Sequence, residues 1–270
     1  MTSILLYSGP SRFDGSPIAA VLTDSSSNRK TGSMPTLWIL RTDTAPNDAA
    51  NKGLDSAVCG DCPSRKGGSD PRCYTHASML FKAVLSIFRT VQRGGYPDRS
   101  GWSAQQLANW LHGAAWVKGA KAVRSAGYGD IGALPPEVWG KLDEARKLAG
   151  LGVRGYTHQW RDPELQHLKH THMASVSTMS AWQMAKALGW RTFYSVPGGQ
   201  LPPPDALLCP ASDEAGHLTS CSECKLCSGL SARSNRDVYI ADHGPSASGR
   251  RLKAYRELSI SKHAIKEAVQ

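Results

Sequence analysis

The chain has no run approaching the roughly 18 consecutive apolar residues that a membrane-spanning helix needs, which excludes that mode of anchoring. Its first ten residues lack the basic start and apolar stretch of a signal peptide, so the expected compartment is the cytoplasm, with no membrane partner. An even number of cysteines is also missing. Seven thiols cannot all pair, and clustered cysteines in a reducing compartment serve as metal ligands or catalytic groups more often than as disulfides. No internal repeat or low-complexity tract occurs, which removes repeat architectures. What is present is an ordinary globular composition, 40% hydrophobic and 20% charged over 270 residues. That length suffices for one large domain or two smaller ones, each with a core.

The formal charge of +10 invites a nucleic-acid reading, because a basic surface gains free energy by releasing counterions from phosphate. The count treats every cysteine as neutral, whereas metal-ligating cysteines are thiolates. Two [4Fe–4S] clusters on four and three thiolates add about −2 and about −1, leaving about +7.

Read for periodicity, Ile4–Tyr7 and Ile18–Leu22 predict an N-terminal hairpin, followed by a polar, basic loop at Ser25–Ser33 and a buried strand at Thr36–Arg41. Helical spacing runs from Thr75 to about Arg93 and stops at Gly94-Gly95, and a second helix is expected over Ser103–Ala115 with Ser103 as cap. Beyond it come strand Ala122–Ala126, helix Pro136–Ala149, strands Gly152–Thr157 and Met173–Val176, helix Ala181–Leu188 and strand Arg191–Val196. Two short strands, Ala206–Cys209 and Val238–Ala241, flank the last cysteines. Strands alternating with helices of this length mark βαβ units and a mostly parallel sheet. The expected fold is therefore α/β: a complete or partial parallel (β/α) barrel with an N-terminal hairpin and cysteine-rich loops at the strand carboxyl ends, with an open doubly wound sheet as the alternative. The expected regions are 1–35, hairpin and basic loop; 36–245, the barrel-like metal-binding domain; and 246–270, a basic C-terminal helix.

The cysteines form two sets. Cys209, Cys221, Cys224 and Cys227 read C-x11-C-x2-C-x2-C, and four thiolates satisfy either a [4Fe–4S] cluster or a tetrahedral structural zinc. A zinc ribbon supplies two C-x2-C knuckles, whereas three cysteines at successive x2 intervals wrap one face of a cluster, so the spacing favours iron–sulfur over zinc. Cys59, Cys62 and Cys73 supply only three thiolates, and Gly60 and Pro63 suit a tight turn that points the nearby pair inward. Three ligands leave one position for chemistry at the metal, unless His76, His112 or His158 closes it.

Several segments resemble a known family. Asn28-Arg29-Lys30-Thr31-Gly32, the pair Cys73-Tyr74, Gly127-Tyr128-Gly129-Asp130, Tyr156-Thr157-His158-Gln159-Trp160 and the final cysteine group resemble those of the phage proteins labelled gene product eighty-eight and related actinobacterial-phage proteins, over most of the chain. The resemblance implies an iron–sulfur protein with a barrel like that of radical S-adenosylmethionine enzymes. In those enzymes the three-cysteine motif follows the first barrel strand, as Cys59, Cys62 and Cys73 follow Thr36–Arg41 here. Their next strand ends in a Gly-Gly-Glu-like segment that holds the cofactor's amino group; Gly127, Gly129 and Asp130 occupy a comparable place and are the expected S-adenosylmethionine contacts. Their C-x3-C-x2-C spacing differs from the C-x2-C-x10-C of this chain.

Asp130 and His158, each at the end of an expected strand, are the candidate catalytic groups. His167, His170 and His172 form H-x2-H-x-H, a density of imidazoles suited to zinc or proton transfer but equally to a solvated loop. Arg29 and Lys30 can meet phosphate; Asp242-His243-Gly244 is read as structural. Arg250, Arg251, Lys253, Lys262 and Lys266 make a basic face open to nucleic acid. Two functions compete: an iron–sulfur enzyme of radical type acting on a small molecule, with an open-site cluster and an auxiliary one, and a metal-stabilised nucleic-acid-binding protein of phage replication or host takeover.

Overall fold

The computed structural model describes residues 3–25, 31–73, 75, 80–197 and 200–241. Arg29, Lys30, His76, Asp242-His243-Gly244 and the basic stretch 246–270 lie outside the described residues. The chain divides into two compact units, 1–27 with 33–152 and 28–32 with 153–270.

In the first unit β1 (Ile4–Pro10) and β2 (Pro17–Thr23) form the expected antiparallel hairpin, closed where Ser11 N–H donates to the Ser16 carbonyl at 2.7 Å. β2 pairs antiparallel with β3 (Thr36–Arg41), and β3 pairs parallel with β4 (Ala122–Tyr128). All six residues of β3 are buried, as its continuous apolar run Leu37-Trp38-Ile39-Leu40 requires of a strand covered on both faces. With β5 (Gly152–Arg154) the first sheet has the order β1-β2-β3-β4-β5.

Among the described residues the connection from β3 to β4 holds four helices: α1 (Pro46–Lys52), α2 (Ser56–Cys59), α3 (Leu80–Gln92) and α4 (Ala104–Lys118). The capping box expected at Ser103 is formed, its hydroxyl accepting from Gln106 N–H at 3.3 Å while Gln106 Oε1 accepts from Ser103 N–H. After β4 a 3-10 turn, Ile131–Ala133, leads into α5 (Pro136–Leu148), which lies against α4. Sequence periodicity misses α1 and α2 because one or two turns are too short to show it. Their signals are local: Pro46 in the first turn, and Gly53 closing α1 at φ 73°.

The second unit holds a second sheet, of β6 (Tyr156–Thr157), β7 (Met173–Val176), β8 (Thr192–Val196), β9 (Leu207–Leu208) and β10 (Val238–Ala241). Its order is β6-β7-β8-β10-β9 and its pairings are parallel. Between β7 and β8 runs α6 (Met179–Ala187), capped by Thr178 and held by Asp237, which accepts from Trp182 Nε1 at 2.9 Å, Lys186 Nζ at 3.2 Å and Thr192 N–H at 2.8 Å.

The protein is thus mixed α/β with parallel sheets and helices, as expected, but its strands are shared between two sheets and no closed ring of strands forms among the described residues. The division falls inside the segment expected as one strand, 152–157. At Gly155 the chain changes partners: its N–H donates to the Cys227 carbonyl at 3.3 Å and its carbonyl accepts from Met173 N–H at 3.0 Å, so β5 joins one sheet and β6 the other.

Gly229 makes a sharp test of this architecture. It sits at φ 56°, and a Cβ there would meet Lys169 O at 2.4 Å and His172 N and O at 2.7 Å, all backbone atoms that cannot swing away. Gly229→Ala is expected to destabilise by at least about 2 kcal/mol, read as a lower urea midpoint. Gly140→Ala in α5, with nothing within 4 Å, is expected to stabilise by about 0.5–1 kcal/mol; equal midpoints for the two variants would contradict the placement of Gly229.

Candidate functional site

The first cysteine set is assembled by the carboxyl ends of two parallel strands. β3 leads through α1 into α2, whose last residue is Cys59, and Gly60 stops the helix there. Cys62 N–H donates to Cys59 O at 3.2 Å and Cys73 N–H to Ser64 O at 2.8 Å, which folds the loop back on itself. Gly68 is pressed onto this turn so closely that a Cβ would stand 2.2 Å from Pro63 O. From β4, Asp130 arrives with its N–H on the Val58 carbonyl at 2.7 Å.

Cys59, Cys62 and Cys73 influence one another's charge, with Asp55, Asp130 and Tyr128 as neighbours. Burial, then Cys62 and Asp55, push the Cys59 thiol well up; burial raises Cys62 to about 12. Burial and then Cys59 and Asp55 push Tyr128 upward as well. Burial and neighbouring charge therefore favour the neutral thiol at Cys59 and Cys62.

Asp130 therefore lies near enough to Cys59 and Cys62 to act on their charge, buried, with its carboxylate also accepting from Gly132 N–H at 2.9 Å. The two glycines expected to cradle a cofactor have reasons of their own. A Cβ on Gly127 would meet Thr36 Cγ2 at 2.7 Å and the Trp38 ring at 3.0 Å, and one on Gly129, at φ 78°, would meet Ile39 O at 2.7 Å. Both permit β4 to approach β3 closely, and Gly129 delivers Asp130 to the cysteines.

The second set is a lid on a sheet face. Side chains alternate along a strand, and Met173, Phe193, Val238, Ile240 and Leu207 meet the loop that carries Cys209, Cys221, Cys224, Cys227 and Leu226 in one apolar cluster. Cys209 directly follows β9. The other three do not stay at the carboxyl ends, where they were expected, because the loop runs back across the face: the Cys227 carbonyl reaches Gly155 ahead of β6 and the Leu226 carbonyl reaches Arg191 ahead of β8.

Two buried arginines fasten this loop. Arg154 Nε donates to Cys221 O at 3.0 Å and its Nη1 to Ser228 Oγ at 2.8 Å; Arg191 Nη1 donates to Leu226 O and Gly229 O, both at 2.8 Å. The Tyr156 hydroxyl donates to the Cys227 sulfur. Burial raises Cys224 to about 11 and Cys227 to about 12, although Arg154 favours both thiolates. Burial lowers Arg191, and the neighbouring Cys227, Asp237 and Cys224 oppose that shift. Sequence reading overlooked both arginines, since only the fold brings them to the cysteines.

The three imidazoles of the H-x2-H-x-H run do not share one environment. His167 and His170 are exposed on the 3-10 segment Pro163–His170, whereas His172 is fully buried with Nδ1 2.9 Å from Thr171 Oγ1. His112, a candidate to close the first set, is exposed on α4 and stacks on Trp116. His158 follows β6 in the second unit, half-buried. Among the described residues no three His, Cys, Asp or Glu side chains already stand grouped to hold a metal ion, and no helix is long and apolar enough to cross a membrane. No family model, curated protein or solved structure matches the chain.

These raised thiols fix a sign. A thiol at about 11 or about 12 in the metal-free fold against an ordinary 9.0 stabilises that fold fully below pH 9 and progressively less as pH rises through its folded value. The expected outcome is a melting temperature of chelator-treated protein that falls between about pH 9 and about pH 12. A metal-free chain with a flat profile over that interval would show that the thiols are not enclosed.

Proposed function

We propose that the chain is an iron–sulfur protein with one cluster in each unit: Cys209, Cys221, Cys224 and Cys227 hold a closed, structural or auxiliary cluster, and Cys59, Cys62 and Cys73 hold a cluster with one iron free of thiolate, used for chemistry of radical type. Zinc is the alternative metal. The observation that carries the reading is that each set, local in sequence, shares one buried neighbourhood, Cys62 and Cys73 acting on the charge of Cys59 and the other four meeting in one apolar cluster. None of the seven cysteines is paired in a disulfide.

The donors fit such groups although their metal-free side chains stand apart. Turning a few cysteine side chains costs about 0.5–1.5 kcal/mol each where they leave a rotamer, against apparent coordination free energies on the order of 10–16 kcal/mol for structural thiolate sites. Arg154 and Arg191 supply two positive charges beside four thiolates, which offsets the net negative charge of a four-thiolate centre. A bound cluster would supply electron transfer and, at the iron free of thiolate, a site for an incoming molecule. The chain's own part is to wall it with apolar and aromatic groups and to set Asp130 at its edge. S-adenosylmethionine is the expected small molecule from the family resemblance, with Asp130 facing its ammonium group.

Access favours chemistry at the first set. A cleft of about 340 Å³ is lined by Asn47, Asn51, Ser64, Lys66, Cys73 and Phe81, the lower end of the size of small-molecule sites. Its wall mixes polar groups, Asn47, Asn51, Ser64 and Lys66, with apolar ones, Ala50, Pro71 and Phe81. The reading implies a cytoplasmic, phage-encoded protein. A second reading, nucleic-acid binding with the metals purely structural, draws on the charge of +10 and predicts oligonucleotide affinity that falls steeply with salt.

Protein purified anaerobically is expected to be brown and to carry iron and sulfide at both sets; a colourless chain with stoichiometric zinc and no sulfide would refute the cluster assignment. Cys224→Ser should lower folded yield sharply, because a closed site loses metal-coupled folding free energy, whereas Cys62→Ser should fold but lose activity. Addition of S-adenosylmethionine should alter the electron paramagnetic resonance spectrum of the reduced protein, and Asp130→Ala should weaken that binding by about 1–3 kcal/mol. An unchanged spectrum together with salt-sensitive oligonucleotide binding would favour the second reading.

A further inference from the structure

We propose that Asp55 is the fourth ligand of the first centre, its carboxylate filling the position that no cysteine takes beside Cys59, Cys62 and Cys73. The inference rests on the metal-centre reading above. Asp55 precedes α2 and Cys59 ends it, with Cys59 N–H donating to the Asp55 carbonyl at 2.9 Å. Residues four apart on a helical turn share a side, so thiol and carboxylate are neighbours. Asp55 is 0% exposed. Its Oδ1 accepts from Arg65 Nη1 at 3.2 Å, but Oδ2, also buried, has no hydrogen-bond partner among the described residues.

An orphaned carboxylate oxygen in the interior is costly, and an ordinary buried ion pair would not leave one. Arg65 could satisfy both oxygens with a two-pronged contact. Instead its Nη1 is shared with the Gly53 carbonyl at 3.4 Å and its Nε is itself buried without a partner among the described residues. The ion pair is therefore incomplete on the side of Oδ2. Asp130, the other carboxylate at the cysteines, already caps the 3-10 turn through Gly132 N–H, and His112 faces solvent. Asp55 thus holds the unsatisfied donor at this corner, and an iron beside Cys59 would satisfy it. An oxygen ligand is harder than thiolate and the poorest match to a sulfur-rich iron site, so it is the ligand that an incoming molecule displaces first.

The test uses the full chain purified anaerobically. Iron and sulfide content of wild type minus that of Cys62→Ser reports the first centre alone. Asp55→Asn is isosteric and neutral, and its first centre is expected to lose iron to a chelator at least ~10-fold faster than wild type, since even an outer partner of a metal ligand is worth that much. Asp55→Cys is expected to retain iron at least as well as wild type and to shift the spectrum toward that of a four-thiolate cluster. Wild type labelled with carboxylate-13C aspartate is expected to show strong carbon hyperfine coupling at the first cluster that survives in Asp130→Asn, a readout independent of whether the Asp55 variants fold. Wild-type iron loss and spectrum in folded Asp55→Asn, or no such coupling, would overturn the ligand assignment and leave the centre standing. No metal at the first set in wild type would overturn the centre and the inference together.

Discussion

A parallel sheet has two apolar faces and must cover both, and in the second unit one face is covered by a loop with almost no regular structure. Residues 209–231 contain only one short 3-10 turn, Gly229–Ser231. Such a segment brings few hydrogen bonds of its own to satisfy its backbone. The solution is to borrow donors from the sheet ends: Arg154, Arg191 and the Gly155 N–H take up the carbonyls of Cys221, Leu226, Gly229 and Cys227. What remains pointing at the sheet is apolar carbon and sulfur, Ala211, Leu226 and the cysteines. The lid is thus held at its backbone by arginines, while its cysteines pack in the apolar cluster on the sheet.

The same arrangement accounts for the electrostatics. Burial drives a thiol toward its neutral form, and each neighbouring thiolate drives it further. In the second set Arg154 works against that tendency at Cys224 and Cys227. In the first set the charges nearest the cysteines are mainly carboxylates, Asp55 and Asp130, which work with it. Deprotonating Cys59 and Cys62 is therefore opposed by their carboxylate neighbours as well as by burial.

Much of the fold was legible in the sequence, because β3, α4, α5 and the parallel strands announce themselves through long apolar runs, a capping box or regular alternation with helices. The hairpin was legible from its turn residues. The two sheets were not. Seven short strands in sequence look like one barrel, and the partner change at Gly155 depends on a hydrogen bond from a loop more than 70 residues further along. The cysteine sets could be read from spacing, yet their surroundings could not. Asp55 is one acidic residue among many in the loops until α2 forms and places it a turn from Cys59, and Arg154 and Arg191 are strand-end residues until the lid folds onto them. Gly127 and Gly129 illustrate the converse: a glycine-rich strand end invites a cofactor reading, while close approach of β4 to β3 already explains both.

Donors are divided cleanly between the units. All ligands proposed for the first centre, Asp55 included, belong to residues 33–152, and all those for the second belong to residues 153–270. Four thiolates held by a loop fastened at several backbone points lose little mobility on closing around a metal, which suits a permanent structural role. Three thiolates and a carboxylate, on a four-residue helix and the loop after it, with a cleft reaching Cys73, combine a weaker ligand with access from outside. On the proposed assignment, permanence in one centre and exchange in the other would follow from how each backbone presents its donors.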